Sequence, residues 1–124
     1  WQDLVLEHGW AYGAEGKMLE GKKIFNAISC GGSIEAYQEK GRNRFTIRQL
    51  LAPFDQTATL CRMSYLPPFV VHGTHGLKNA DIEFYALQYE QLLVSIANDR
   101  IQESEWETVM YMNELCPIPL TIQS

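Results

Sequence analysis

Residues 79–98, NADIEFYALQYEQLLVSIAN, carry the most regular apolar spacing in the chain. At about 100° per residue, Ile82, Tyr85, Ala86, Tyr89, Leu92, Leu93, Ile96 and Ala97 fall on one arc, with Glu83, Gln88, Glu90, Gln91, Ser95 and Asn98 outside it. The spacing predicts a core-facing helix capped at Asn79. Phe84, Leu87 and Val94 lie off the arc and close to one another, so a second, narrower apolar stripe remains after the first is buried. Such a helix is either central in a bundle or meets another subunit.

Downstream, DRIQE is a short connection, and Ser104 with Glu107 matches a capping box for a helix reaching about Leu115. A connection of this length favours an antiparallel helical hairpin. Trp106, Val109, Met110, Met112, Asn113, Leu115 and Cys116 occupy more than half of that second helix, with Glu107, Tyr111 and Glu114 as its wet side. Pro117 and Pro119 end it, and TIQS reads as a loose tail.

Upstream, Thr46 and Gln49 form a T-x-x-Q capping box, with Phe45 placed to pack on Leu50. Ile47, Leu50, Leu51, Phe54, Ala58, Cys61 and Tyr65 continue at helical steps, and Pro53 divides that helix near Ala52. Pro67-Pro68 ends it, and FVVHGTHGLK reads as an extended segment and loop. From Lys17 to Cys30, Met18, Ile24, Phe25 and Ile28 share a helical face, with Gly31-Gly32 as the stop. The competing reading joins FNAISC and SIEAYQ as a β-hairpin across the same glycines. Ser33 would cap a short helix through Lys40. Asp3 would cap a first helix; the alternative there is a strand, LVLEHGWAY. The expected fold is therefore mainly α, a small helical domain with a C-terminal antiparallel helical hairpin. The alternative is α+β, with an N-terminal β-hairpin or small sheet packed on the two C-terminal helices.

A chain of 124 residues, 46% apolar and 20% charged, fits a single domain over residues 1–124. No apolar run approaches the roughly 20 residues that span a bilayer, so the expectation is a soluble protein with no membrane partner. Cys30, Cys61 and Cys116 are odd in number, widely spaced and set among apolar neighbours, which points to buried thiols in a reducing, cytoplasmic setting. The net charge of −5 is uneven: residues 1–62 carry eight Lys or Arg against seven Asp or Glu, and residues 63–124 carry two against eight. This weighs against nucleic acid as a partner except at a local basic surface in the first half.

His72 and His75, three apart in VVHGTHG, could reach one metal ion or one anionic ligand, which would suit a metal-dependent hydrolase. Zinc needs three or four ligands, and His8, Cys61 and Cys116 have no spacing that ties them to this loop, so no metal site and no cofactor is assigned. Lys40, Arg42, Arg44 and Arg48 beside a helix start could hold phosphate; a solvated turn is the simpler reading. No GxSxG elbow or ExxH pair is present, Glu83 and Glu90 fall on wet faces, and no catalytic residue is assigned. Trp10, Tyr12, Tyr85, Tyr89, Trp106 and Tyr111 could line a small-molecule pocket. LEGKKIFNAISC resembles the run before a haem attachment site in cytochromes c, but the CxxCH such a site requires is absent.

The leading expectation is a small non-enzymatic interaction module acting as a homo-oligomer. Phe84, Leu87 and Val94, with Trp106, Met110 and Met112, would form its contact surface. The alternatives are a small-molecule-binding domain using His72, His75, Trp10, Tyr85 and Tyr89, and the hydrolase using His72 and His75.

Overall fold

The computed structural model describes residues 1–116. At its centre two segments run side by side in parallel. β1 (Lys23–Ile24) pairs with β3 (Ser64–Tyr65), and β2 (Ala27–Ser29) pairs with β4 (Phe69–Val71). The two pairings are halves of one interrupted ladder. Three steps along the first segment, Ile24 to Ala27, match four along the second, Tyr65 to Phe69, so the second strand bulges by one residue. Pro67 and Pro68 occupy the bulge, fully buried, where their missing N–H groups would otherwise leave gaps in the ladder. Pairing resumes as the Phe69 N–H donates to the Asn26 carbonyl (2.9 Å).

Parallel strands need a crossover. Here it consists of a three-ten turn (Ile34–Tyr37), α2 (Ile47–Leu50) and α3 (Ala52–Leu60). The Thr46 capping box is present: Thr46 Oγ1 accepts from the Gln49 N–H (3.1 Å), and Gln49 Oε1 accepts from the Thr46 N–H (2.8 Å). Pro53 sits in the first turn of α3, where it needs no N–H, and separates the two helices as its position predicts.

Alternate residues of β4 enter two cores. Phe69 packs with Leu66, Leu92, Ile101, Trp106 and Met112, and half-buried Val71 joins them. Val70 packs with Ile47, Leu51 and Tyr111, backed by Ile28, Cys30 and Tyr37. Helices thus cover both faces of the strand pair, as parallel sheets require.

The long helix is real: α4 spans Asn79–Ala97, with Leu92 fully buried and Tyr85, Tyr89 and Ile96 partly so. Its cap is Lys78 rather than Asn79, and the Asp81 carboxylate accepts the Lys78 N–H (2.8 Å). Its hairpin partner does not exist. α5 is one turn, Glu103–Trp106, started by Glu105 accepting the Gln102 N–H (2.7 Å) and not by Ser104. A three-ten turn, Met112–Leu115, follows. The reason is the outer edge of β4. Asn113 bonds Val70 through both its amide atoms (2.9 and 3.0 Å), and the Met112 N–H donates to Pro68 (2.9 Å), so this segment covers a strand edge instead of winding into a helix. The expected end of that helix at Pro117 and Pro119, and the TIQS tail, lie outside the described residues.

The expected helix from Lys17 to Cys30 is also overturned, because Ile24 and Ile28 pair in β1 and β2 with partners some 40 positions away, and Met18 lies in a turn. The β-hairpin across Gly31-Gly32 fails likewise, since Ile34–Tyr37 is a three-ten turn and FNAIS pairs in parallel with the second segment. At the amino end, α1 (Gln2–Val5) begins at Trp1, not Asp3. The alternative strand, LVLEHGWAY, does not form either; Gly9 and Gly13 have left-handed φ (+84° and +88°) in a turn closed by a bridge between His8 and Tyr12.

Candidate functional site

Because the strands are parallel, their carboxyl ends open at the same edge. β2 runs into Cys30-Gly31-Gly32-Ser33, and β4 into His72-Gly73-Thr74-His75-Gly76. The loops are stitched together: the Cys30 N–H donates to Val71 (2.9 Å), the Thr74 N–H to Cys30 (3.2 Å) and the Gly73 N–H to Gly32 (3.0 Å). Among the described residues the N–H groups of Gly31 and Gly32 find no acceptor, which leaves two backbone donors at this edge without a protein partner. A side chain added at either glycine would displace a neighbouring ring. A Cβ at Gly31 would lie 2.6 Å from His75 Nε2, and one at Gly32 would lie 2.9 Å from the Tyr37 ring.

Tyr37 stands beside this loop. It packs in the same cluster as Cys30, and burial pushes its pKa up, with the Cys30 thiol acting in the same direction. Burial also raises Cys30, whose Sγ points to the carbonyls of Gly32 (3.7 Å) and Val71 (3.8 Å). The His72 ring lies between Tyr37 and Tyr111, with centroids 5.9 and 5.2 Å away. Burial holds His72 below its usual value while Glu35 acts the other way, and its Nε2 is enclosed with no hydrogen-bond partner among the described residues. The arrangement offers two N–H donors without a protein acceptor, a protonated phenol and a flat aromatic wall, which suits a planar ligand with acceptor atoms at its edge.

The structure brings His72 and His75 to this edge but does not converge them on one ion. His75 lies exposed against Gly31, while His72 is wedged between tyrosines. Among the described residues no group of three His, Cys, Asp or Glu is placed to hold a metal. The other expected ligand residues go elsewhere. Trp10 lines an apolar hollow with Trp1, Val5 and Leu19, and Tyr85 and Tyr89 line a groove over Ala27 and Phe69. The expected contact surface is divided too. Trp106 and Met112 are core residues, 8% and 0% exposed, while Leu87, Val94 and Met110 face solvent and Phe84 is half-buried against Tyr85. Sequence reasoning missed Gly31, Gly32, Cys30 and Tyr37. The signal was available as two short apolar runs, FNAIS and PPFVV, each followed by a glycine loop.

A parallel strand–crossover–strand unit whose carboxyl ends open into glycine loops places this chain in the doubly wound α/β class, which binds ligands at that edge. Residues 1–93 match the family described as flavodoxin-like fold, and the chain belongs to that family. General stress protein 14 of Bacillus subtilis is 46% identical over 86 residues, 69% of this chain and 49% of that protein. Solved structures that resemble this chain include the following. A structure titled as a thermophilic tryptophan halogenase from Streptomycin violaceusniger is 40% identical, with a TM-score of 0.69 over 73% of this chain and 53% of that one. General stress protein 14 of Treponema denticola in complex with FMN is 43% identical, with a TM-score of 0.56 over 58% and 41%. An NADPH-quinone reductase from P. pentosaceus is 32% identical, with a TM-score of 0.66 over 73% and 54%. The chain thus spans about half the length of the relatives it matches. These findings overturn the mainly helical fold and, with it, the non-enzymatic interaction module and the metal-dependent hydrolase. Among the described residues no helix is long and apolar enough to cross a membrane.

Proposed function

We propose that this chain forms part of an FMN-dependent NAD(P)H oxidoreductase, and that its Cys30–Ser33 and His72–Gly76 loops contact the flavin. The observation that carries the reading is the pair of N–H groups at Gly31 and Gly32 that have no acceptor among the described residues, at the carboxyl edge of parallel strands and at positions where a Cβ would meet His75 or Tyr37. The FMN in the Treponema relative and the quinone reductase named among the similar structures support it. When bound, FMN supplies two-electron transfer between a nicotinamide and an acceptor. The residues here hold and orient: Gly31 and Gly32 donate from the backbone, and Tyr37, its pKa raised, keeps its proton at neutral pH and serves as a donor. Three free thiols fit a reducing compartment, which supports a cytoplasmic location. Association between copies is a separate proposal, supported by exposed Leu87, Val94 and Met110 and read by light scattering.

The test is steady-state consumption of NADPH or NADH by the purified protein, with and without FMN, using a quinone as acceptor. Flavin-dependent turnover that Gly31→Val abolishes is expected. Failure to retain FMN together with no consumption of either nucleotide would reject the reading.

A further inference from the structure

Between Glu39 and Asp55 the chain carries Lys40, Arg42, Arg44 and Arg48 and no acidic residue, in a protein with 15 acidic and 10 basic side chains. All four cations are exposed, and among the described residues none makes an ion pair or a side-chain hydrogen bond. Arg48 lies on α2, where its field reaches Tyr65. The other three belong to a loop fastened to the site. The Asn43 N–H donates to the Ala36 carbonyl (3.0 Å), in the three-ten turn that carries Tyr37, and the Arg44 N–H donates to Gly41 (3.0 Å). Arg42 and Arg44 therefore flank the residue whose N–H is bonded to the turn that carries Tyr37.

Arg44 has a left-handed φ of +61°, a conformation that bulky side chains rarely adopt. Two other non-glycine residues share it, and both have engaged side chains. Arg62 donates to the carbonyls of Gly16 (2.7 Å) and Gly13 (3.1 Å), and Asp99 pairs with Lys23 (2.6 Å). Only Arg44 of the three has no protein partner among the described residues, although its backbone is held in the strained form. Strain of this kind gathers where a side chain is aimed for use.

We infer that Arg42 and Arg44, assisted by Lys40, form a phosphate-recognising rim that selects the nicotinamide dinucleotide bearing a 2′-phosphate over the one lacking it. The inference rests on the oxidoreductase reading above. A guanidinium presents paired N–H donors that match phosphate oxygens, and the phosphate dianion is the only charge by which the two nucleotides differ.

The test has a binding arm and a turnover arm. In calorimetric titrations of the purified protein, with and without FMN, 2′,5′-ADP should bind about tenfold or more tighter than 5′-ADP, and added salt should shrink that margin. Arg42→Gln with Arg44→Asn should remove the preference, asparagine being chosen because it tolerates left-handed φ. Lys22→Gln, an exposed cation outside the loop, should retain it. In turnover the double variant should raise KM for NADPH about tenfold while leaving kcat and the KM for NADH unchanged. Equal affinity for the two nucleotides in the wild type, or a folded double variant that keeps the preference, overturns the inference. A single-stranded oligonucleotide binding more tightly than 2′,5′-ADP overturns it as well. Flavin-dependent turnover that uses both nucleotides equally would reject the rim alone; a 2′-phosphate preference in a protein that never turns over would reject the oxidoreductase reading alone.

Discussion

Replacing Gly41 with alanine tests whether the loop beside Tyr37 is held as tightly as its geometry implies. The new methyl carbon would lie 2.3 Å from the Glu35 carbonyl oxygen and 2.7 Å from that of Ala36. Favourable contacts begin near roughly 3.5 Å, and both obstacles are backbone of the three-ten turn that carries Tyr37, so no side-chain rotation relieves them. Either the loop or the turn must shift by about 1 Å, which would break the bond from the Asn43 N–H to Ala36. Overpacking of this kind costs about 1–3 kcal/mol. For a domain of this size that is a fall of about 4–12 °C in Tm. Gly76→Ala is the matched control: nothing lies within 4 Å of its added carbon and its φ is not left-handed, so it should be neutral or stabilise by about 0.4–1 kcal/mol. Urea melts of both variants decide the matter. If Gly41→Ala unfolds with the wild type, or if Gly76→Ala is the weaker of the two, the close packing is not there.

Leu92 is wholly buried between α4 and β4, so Leu92→Ala should cost about 2–5 kcal/mol in urea denaturation; a loss under about 1 kcal/mol would contradict the placement of that core. Burial lowers the His72 pKa in the folded state, so the unfolded chain takes up the proton first as pH falls. The stability contributed by neutral His72 is complete above about pH 6.5 and is lost as pH drops through the folded value. Glu35 and Asp99, whose carboxyls are held low, titrate below that window. Urea midpoints should therefore decline between about pH 6.5 and 5 in the wild type and flatten in His72→Phe; parallel curves would contradict this. Burial pushes the Cys116 thiol up to about 11. Iodoacetamide at pH 8 should label it at least about tenfold more slowly in the native protein than in urea, read by mass spectrometry, and equal rates would refute its burial.

What could be read from the chain was local. The α4 helix, the Thr46 capping box and the break at Pro53 depend on residues within a few positions of one another, and each is found in the structure, although of the expected core face of α4 Ile82, Ala86, Leu93 and Ala97 are exposed while Ser95, expected outside it, is buried. What was misread depends on partners far along the chain. Ile24, Phe25 and Ile28 are spaced compatibly with a helix, and only pairing of Lys23–Ser29 with Ser64–Val71 makes them strand. Met110 to Leu115 looked helical until Asn113 and Met112 bonded the edge of β4. The site followed the same rule. His72 and His75 drew notice as residue types, but they reach their place only because both loops leave the same end of a parallel pair. Gly31 and Gly32 look like a turn or a helix stop when the strand on their left has no visible partner.

Amide hydrogen exchange of the purified protein with and without FMN addresses the central claim at single residues. Bound FMN should slow exchange at Gly31 and Gly32, with smaller effects along His72–Gly76. Protection confined to other segments, or none at saturating FMN, would show that this strand edge does not hold the flavin.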